Sequence, residues 1–216
     1  MFVKDVMTPN PITVAPETSF AEAMDIIRRK KVRRLPVVKG GKLVGIVAEK
    51  DLLSASPSKA TSLDVWEITS LLHKLKVEEI MTKDVVTVSP DTPIEEAAVI
   101  MADKKIGALP VVKGEKLVGI ITETDIFKTF VNMLGARESG VRYVFKLKNV
   151  PGLLAKIAML IYETGGNVIS VASYEVNEDE YSVIVKVSGI DVNAFEKRFS
   201  EEIQDASIVD SRFISV

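Results

Sequence analysis

Cysteine is absent from the chain, which excludes disulfide scaffolding, thiolate zinc sites and cysteine nucleophiles together. Histidine occurs once, at His73, so no multi-histidine metal site can form, and neither a metal nor a catalytic cofactor is expected. Neither sign of charge is in excess: 28 Lys and Arg stand against 30 Asp and Glu, for a net charge of -2 at pH 7. A chain built to coat nucleic acid or an anionic membrane carries a basic surplus, so neither partner is expected. No apolar run approaches the ~18 residues of a membrane helix. The opening Met1-Phe2-Val3-Lys4-Asp5 is charged where a secretory leader is apolar, which predicts a cytoplasmic protein. What is present is 216 residues, 47% of them hydrophobic, enough for roughly one to three small domains.

The dominant feature is an internal repeat. Shifting the chain by about 74 residues aligns Val3–Leu53 with Val77–Phe127 without a gap, and about half the positions are identical. Met7-Thr8 returns as Met81-Thr82, and Thr13-Val14-Ala15-Pro16 as Thr87-Val88-Ser89-Pro90. Leu35–Gly40 returns unchanged as Leu109–Gly114, and Lys42–Ile46 as Lys116–Ile120, with Glu49 and Asp51 answered by Glu123 and Asp125.

Each copy predicts β-α-β-β-α. A short strand near Thr13 or Thr87 ends at proline, and Thr18 or Thr92 is expected to cap a helix. Ala23, Ile26 and Ile27, like Ala97, Ile100 and Met101, recur at helical spacing. A hairpin follows, and a second helix opens near Glu49 or Glu123. One such unit is too small to bury a good core alone, so the copies are expected to pack face to face.

Between the repeats, Ser54–Thr61 reads as a loop. A helical pattern then begins at Asp64, with Val65, Ile68, Leu71, Leu72 and Leu75 on one face and Trp66 and His73 off it. His73 reads as a surface or interface residue and not as a catalytic base. A helix from Phe127 to about Leu134 leads to a polar linker, Gly135–Gly140. Beyond it, strand Arg142–Leu147, helix Leu153–Glu163, strands Asn167–Val176 and Glu180–Val187, a helix near 192–203 and strand Ser207–Ser215 predict a ferredoxin-like βαββαβ domain. The expected organisation is therefore repeat 1 over 1–56, a helical segment over 57–76, repeat 2 over 77–134, a linker over 135–140 and a third domain over 141–216, an α+β fold class.

The "VMT" and "IMT" starts, the "LPVV" strands and Gly-x-x-Thr-x-x-Asp at Gly119–Asp125 resemble the CBS domain, a module found as tandem pairs. The resemblance implies two clefts for adenosine-type ligands such as AMP, ADP, ATP or S-adenosylmethionine. It assigns Thr122, Asp125, Pro11, Ile12, Arg33 and Arg34 to the first. Asp is suited to accept from ribose hydroxyls, and Arg to grip phosphate with a permanently charged fork. The second cleft would draw on Asp51, Val85, Val86, Gly107 and Ala108. There Ala48 stands where the motif has threonine, and no arginine precedes Leu109. The residues themselves also allow Asp51 and Asp125 to be helix caps, and Arg33 and Arg34 to be solvated surface charges.

Asn149-Val150-Pro151-Gly152-Leu153-Leu154 with Gly165-Gly166-Asn167-Val168-Ile169 resembles the ACT domain, an amino-acid-sensing module. The resemblance implies that Asn149 and Asn167 hold an amino acid across a dimer interface. Leu147 stands where serine-binding relatives have histidine. The string "TSLDVWEITSLLHKLKVEEIMT" is similar to the inter-repeat segment of acetoin-utilisation-type CBS–ACT regulatory proteins. Together the resemblances imply a non-enzymatic, homodimeric regulatory sensor acting on an unidentified protein target. An empty-cleft dimeric scaffold is the alternative, and an enzyme would need a nucleophile, carboxylate pair or metal set that the sequence does not supply.

Overall fold

The computed structural model describes residues 1–55, 64 and 72–216. The chain divides into two units, Met1–Ile126 and Phe127–Val216.

The first unit opens with a single helical turn, α1 (Val3–Val6), and a two-residue strand, β1 (Thr8–Pro9). Helix α2 (Phe20–Lys30) buries Phe20, Ala23, Met24 and Ile27, the i, i+3, i+4, i+7 stripe of an amphipathic helix. Its cap is Ser19, whose Oγ accepts from Glu22 N at 3.2 Å. Thr18, expected in that role, closes the preceding turn instead, its Oγ1 accepting from Ala15 N at 3.1 Å. Thr92 does the same with Ser89 N at 3.1 Å, and Pro93 takes the cap position in the second copy. Strands β2 (Arg34–Lys39) and β3 (Lys42–Ala48) pair antiparallel, with a bulge at Val37/Val38, and α3 (Glu49–Ala55) follows at once. Gly40 turns that hairpin at φ +57, a conformation glycine adopts at little cost. The second copy repeats this as α4 (Val77–Ile80), α5 (Ile94–Lys104), β4 (Ala108–Lys113), β5 (Lys116–Thr122) and α6 (Glu123–Met133). The short strand expected near Thr13 and Thr87 is one parallel bridge in each copy, Val14 to Val37 and Val88 to Val111.

The copies exchange their first segments. Thr8 pairs with Ile120 in β5, and Thr82 pairs with Ile46 in β3. Val3, at no measurable exposure, completes the core of the second repeat with Val88, Ala97, Leu109, Val111 and Ile121. Val77 completes the first with Val14, Phe20, Ile27, Leu35 and Val47. A β-carbon at Gly119 would collide with the side chain of Met7, and one at Gly45 with that of Met81. The repeated Met-Thr and Val-Gly-Ile blocks are thus the two halves of one contact, made twice. Of the inter-repeat stripe, Leu72 and Leu75 pack partly buried against the first core and His73 is exposed. Val65, Trp66, Ile68 and Leu71 lie outside the described residues.

In the second unit, β6 (Gly140–Lys148), α7 (Leu153–Glu163), β7 (Asn167–Asn177), β8 (Glu180–Ser188), α8 (Val192–Glu202) and β9 (Ala206–Ile214) form βαββαβ. The sheet order is β7-β8-β6-β9, all antiparallel, as expected of a ferredoxin-like domain. Phe195 and Phe199 of α8 and Ile157, Leu160 and Ile161 of α7 meet Tyr143, Phe145 and Val185 in the core. The start of the segment expected as a polar linker is tied to this sheet. Lys186 Nζ, on a side chain only 4% exposed, donates to Gly135 O at 2.8 Å, and Ser170 Oγ donates to Leu134 O at 3.0 Å. Among the described residues, no helix is long and apolar enough to cross a membrane.

Candidate functional site

The exchange of β1 and the Thr82 segment sets the start of each repeat beside the hairpin of the other, leaving a cleft at each junction. The first is a cavity of about 280 Å³ bounded by Thr8, Asn10, Pro11 and Ile12 from the chain start, by Lys31–Arg34, and by Ile120 and Thr122 of β5. It brings together five of the six expected residues: Pro11, Ile12, Arg33, Arg34 and Thr122. The sixth, Asp125, stands behind Thr122, one helical turn in. Thr122 Oγ1 donates to Asp125 Oδ2 at 2.7 Å, and the same oxygen accepts from Thr122 N at 2.9 Å. Asp125 N donates back to Thr122 Oγ1 at 3.4 Å. This is a reciprocal cap on α6, so Asp125 fulfils the capping role while it fixes the threonine hydroxyl at the cavity wall.

Five lining residues escaped the sequence reading: Thr8, Asn10, Lys31, Val32 and Ile120. Lys31 ends α2 in the left-handed region at φ 54 and adds a third cation to Arg33 and Arg34. Its signal was the basic run Arg28–Arg34, of which only Arg33 and Arg34 were assigned to the cleft. Asn10, at φ 46, is a residue type that tolerates that backbone, and its N–H donates to Val118 O at 3.1 Å. Thr8 carried a signal in the repeated Met-Thr pair. Among the described residues lining this cavity there is no carboxylate, so its charge is positive throughout. The apolar surfaces of Pro11, Ile12, Val32 and Ile120 stand beside those cations.

The second cleft is smaller, about 130 Å³, and it contains Asp51, Val85, Val86, Gly107 and Ala108 as expected. Ala48 supplies no hydroxyl, and among the described residues Asp51 Oδ2 accepts only the backbone bond from Ala48 N, at 2.9 Å. Its lining charges balance, Arg34 and Lys50 against Asp51 and Asp84. The arginine missing before Leu109 is therefore supplied from across the pair, by Arg34. A β-carbon at Gly107 would meet both the Arg34 guanidinium and the Glu123 carboxylate, so glycine there is what admits the side chain. Partial burial, then the charge of Arg33, push the Arg34 guanidinium below its ordinary pKa, while Glu123 and Asp51 pull it back. Arg33 is more exposed, and its Nη2 donates to Thr124 Oγ1 at 3.2 Å.

In the second unit, Asn149 N donates to Asp179 O at 2.8 Å and its side-chain amide to Glu178 O at 3.4 Å. That fixes it beside an open groove at the β7–β8 turn. Asn167 pairs with Ser188 at the opposite end of the same hairpin, so one chain does not bring the two asparagines together. At the start of α7, Leu153 N donates to Val150 O at 3.3 Å.

Residues 3–58 and 77–132, more than half of the chain, match the CBS domain, and residues 139–212 match the TTHA0829-like ACT domain. Among solved structures, an acetoin utilization protein (AcuB) from Vibrio cholerae is 34% identical, with TM-score 0.53 over 64% of this chain and 96% of that one. The CBS domain pair of protein MJ0100, solved with 5'-methylthioadenosine and S-adenosyl-L-methionine, is 32% identical, with TM-score 0.51 over 64% of this chain and 98% of that one. CBSX2 of Arabidopsis thaliana, solved with AMP, is 32% identical, with TM-score 0.52 over 60% of this chain and 96% of that one. The chain also matches three longer archaeal enzymes at 34% to 43% identity, but spans at most 23% of their length. The chain belongs to the CBS-domain family: a tandem CBS pair followed by a TTHA0829-like ACT domain.

Proposed function

We propose that the protein is a non-catalytic regulatory sensor that binds an adenosine-type ligand in the cleft walled by Thr122. One observation carries the reading: Lys31, Arg33 and Arg34 line a single cavity that has no lining carboxylate but has apolar walls at Pro11, Ile12, Val32 and Ile120. Such a site suits a ligand with an uncharged aromatic base at one end and phosphate at the other, because paired arginines grip phosphate with forked, charge-assisted donors. Asp125, one turn into α6, is the group assigned to the ribose. AMP, the ligand of CBSX2, is the first candidate; S-adenosylmethionine, a ligand of MJ0100, ranks behind it because it has no phosphate for these cations to grip and carries a sulfonium charge. Binding alters the rest of the chain only as far as the ligand prefers one arrangement of the pair over another.

Thermal unfolding with AMP, ADP, ATP and S-adenosylmethionine, followed by calorimetry, tests this. A ligand at ~100 times its dissociation constant adds about 2.7 kcal/mol to the folded state. The expected result is saturable stabilisation whose tight component disappears in Asp125→Ala. Absence of stabilisation by all four ligands would leave the pair as an interaction scaffold with empty clefts. The amino-acid role of the ACT domain is the second half of the proposal. It needs a second copy of the chain to bring an Asn167 to Asn149, so serine titration and sedimentation on the same sample test it together.

A further inference from the structure

Resting on that reading, we propose that Arg34 is a shared specificity residue, one guanidinium that serves both clefts and lets only one of them hold a phosphate at a time. Arg34 borders the first cavity beside Arg33 and Thr122, and it borders the second beside Asp51 and Lys50. Its counterpart by the internal repeat is Ala108, and the counterpart of Arg33 is Gly107. Gly107 leaves the space that the Arg34 guanidinium occupies, because a β-carbon there would strike it. Among the described residues the guanidinium makes no hydrogen bond or ion pair. Glu123 and Asp51 hold it by longer-range attraction, one from each side of the pair.

An arginine fork engages one phosphate bidentately. When the first cleft takes a phosphate ligand, Arg34 turns toward Arg33 and Lys31. The second cleft then keeps Lys50 against Asp51 and Asp84, a net negative lining that disfavours phosphate. When the first cleft is empty, Arg34 is available to the second. The pair therefore reads one phosphorylated ligand per chain, and reserves the second cleft for an adenosine compound without phosphate while the first is filled.

Calorimetry with AMP tests this in two backgrounds, Asp125→Ala to weaken the first cleft and Asp51→Ala to weaken the second. Each is measured with and without Arg34→Gln. Wild type is expected to take up one AMP per chain tightly, and Arg34→Gln to weaken AMP binding at least about tenfold in both backgrounds. Adenosine, which lacks the phosphate, is expected to bind the Arg34→Gln proteins as it binds their parents, which also shows that they are folded. Loss of AMP affinity in one background alone overturns the sharing and leaves the adenosine reading intact, as does an Asp125→Ala protein with no AMP site at all. Two equally tight AMP sites in wild type overturn the exclusion. A wild type that binds no AMP overturns the adenosine reading itself.

Discussion

Thr122 and Asp125 are joined by a 2.7 Å hydrogen bond from hydroxyl to carboxylate, beyond the backbone N–H bond to the carboxylate that they share with the matching pair of the first repeat, Ala48 and Asp51. The two helices that follow the hairpins are therefore unequally capped. Thr122→Ala removes a cap and is expected to cost about 1 kcal/mol, whereas Ala48→Thr installs one and should gain up to the same amount. In a unit of this size the second change raises the melting temperature by roughly 2–4 °C. Unfolding of the two variants by heat or urea checks both signs. If Ala48→Thr destabilises, the cap geometry of α6 does not transfer to α3.

Met7 lies on Gly119, and Met81 lies on Gly45, each across the exchange between repeats. Gly119→Ala forces its new methyl into the Met7 side chain, an overpacking expected to cost about 1–3 kcal/mol. Met7→Ala leaves a void and is destabilising by itself. In Gly119→Ala combined with Met7→Ala the added methyl enters the space the methionine vacates. The double variant is expected to be more stable than the sum of the singles by about 0.5 kcal/mol or more. Strict additivity in urea unfolding would mean that the two side chains do not share that space.

These contacts mark the limit of what the sequence could reveal. Element order was legible because each element carries a local signal. Ala23 and Ile27 keep helical spacing, the two hairpins turn at glycine, and Glu49 and Glu123 open helices directly after their strands. The repeat also exposed Met7 and Gly119 as special, but not that they touch, because the exchange of first segments is a tertiary choice with no local mark. Ser19 rather than Thr18 became the cap because Thr18 is already committed to Ala15 N in the preceding turn. The Arg34 position in the second cleft was hidden for the same kind of reason. An arginine missing from one repeat reads as an absence until the fold brings one in from the other.

Lys186 is a buried cation that holds the Gly135 carbonyl at 2.8 Å, just beyond the end of α6, where a positive charge also suits the helix dipole. Lys186→Met keeps most of the stem and removes the charge-assisted bond. A bond to a charged group contributes about 1.5–3 kcal/mol, and its loss leaves the carbonyl short of a partner. The variant is expected to destabilise the second unit by that amount and to speed amide exchange at residues 134–138. Exchange there that stays as slow as in wild type would mean that Ser170 alone suffices to hold the segment.

Tyr143 is fully buried, stacked on Phe145 at 5.5 Å and tilted against Phe195 at 4.9 Å. Among the described residues its hydroxyl makes no hydrogen bond of good geometry, and Ser211, whose Oγ donates to Glu196 Oε1 at 2.9 Å, is the polar side chain beside it. Burial first, and then the charge of Glu196, push the Tyr143 pKa up to about 12, against a smaller opposing pull from Ser211. An unfolded tyrosine ionises near ~10. The fold therefore favours the neutral form, and the stability linked to this residue is complete below the unfolded value and lost as pH rises from about 10 to 12. Tyr143→Phe removes a buried group that gains no bond in the fold, so at neutral pH it is expected to be neutral or stabilising by up to about 1 kcal/mol. It should also flatten the alkaline loss, which urea unfolding at pH 8, 10 and 11 resolves. A variant that loses more than about 1 kcal/mol at pH 8 would show that the hydroxyl is bonded in solution. In that case its raised pKa would reflect a bond to the neutral form as well as burial.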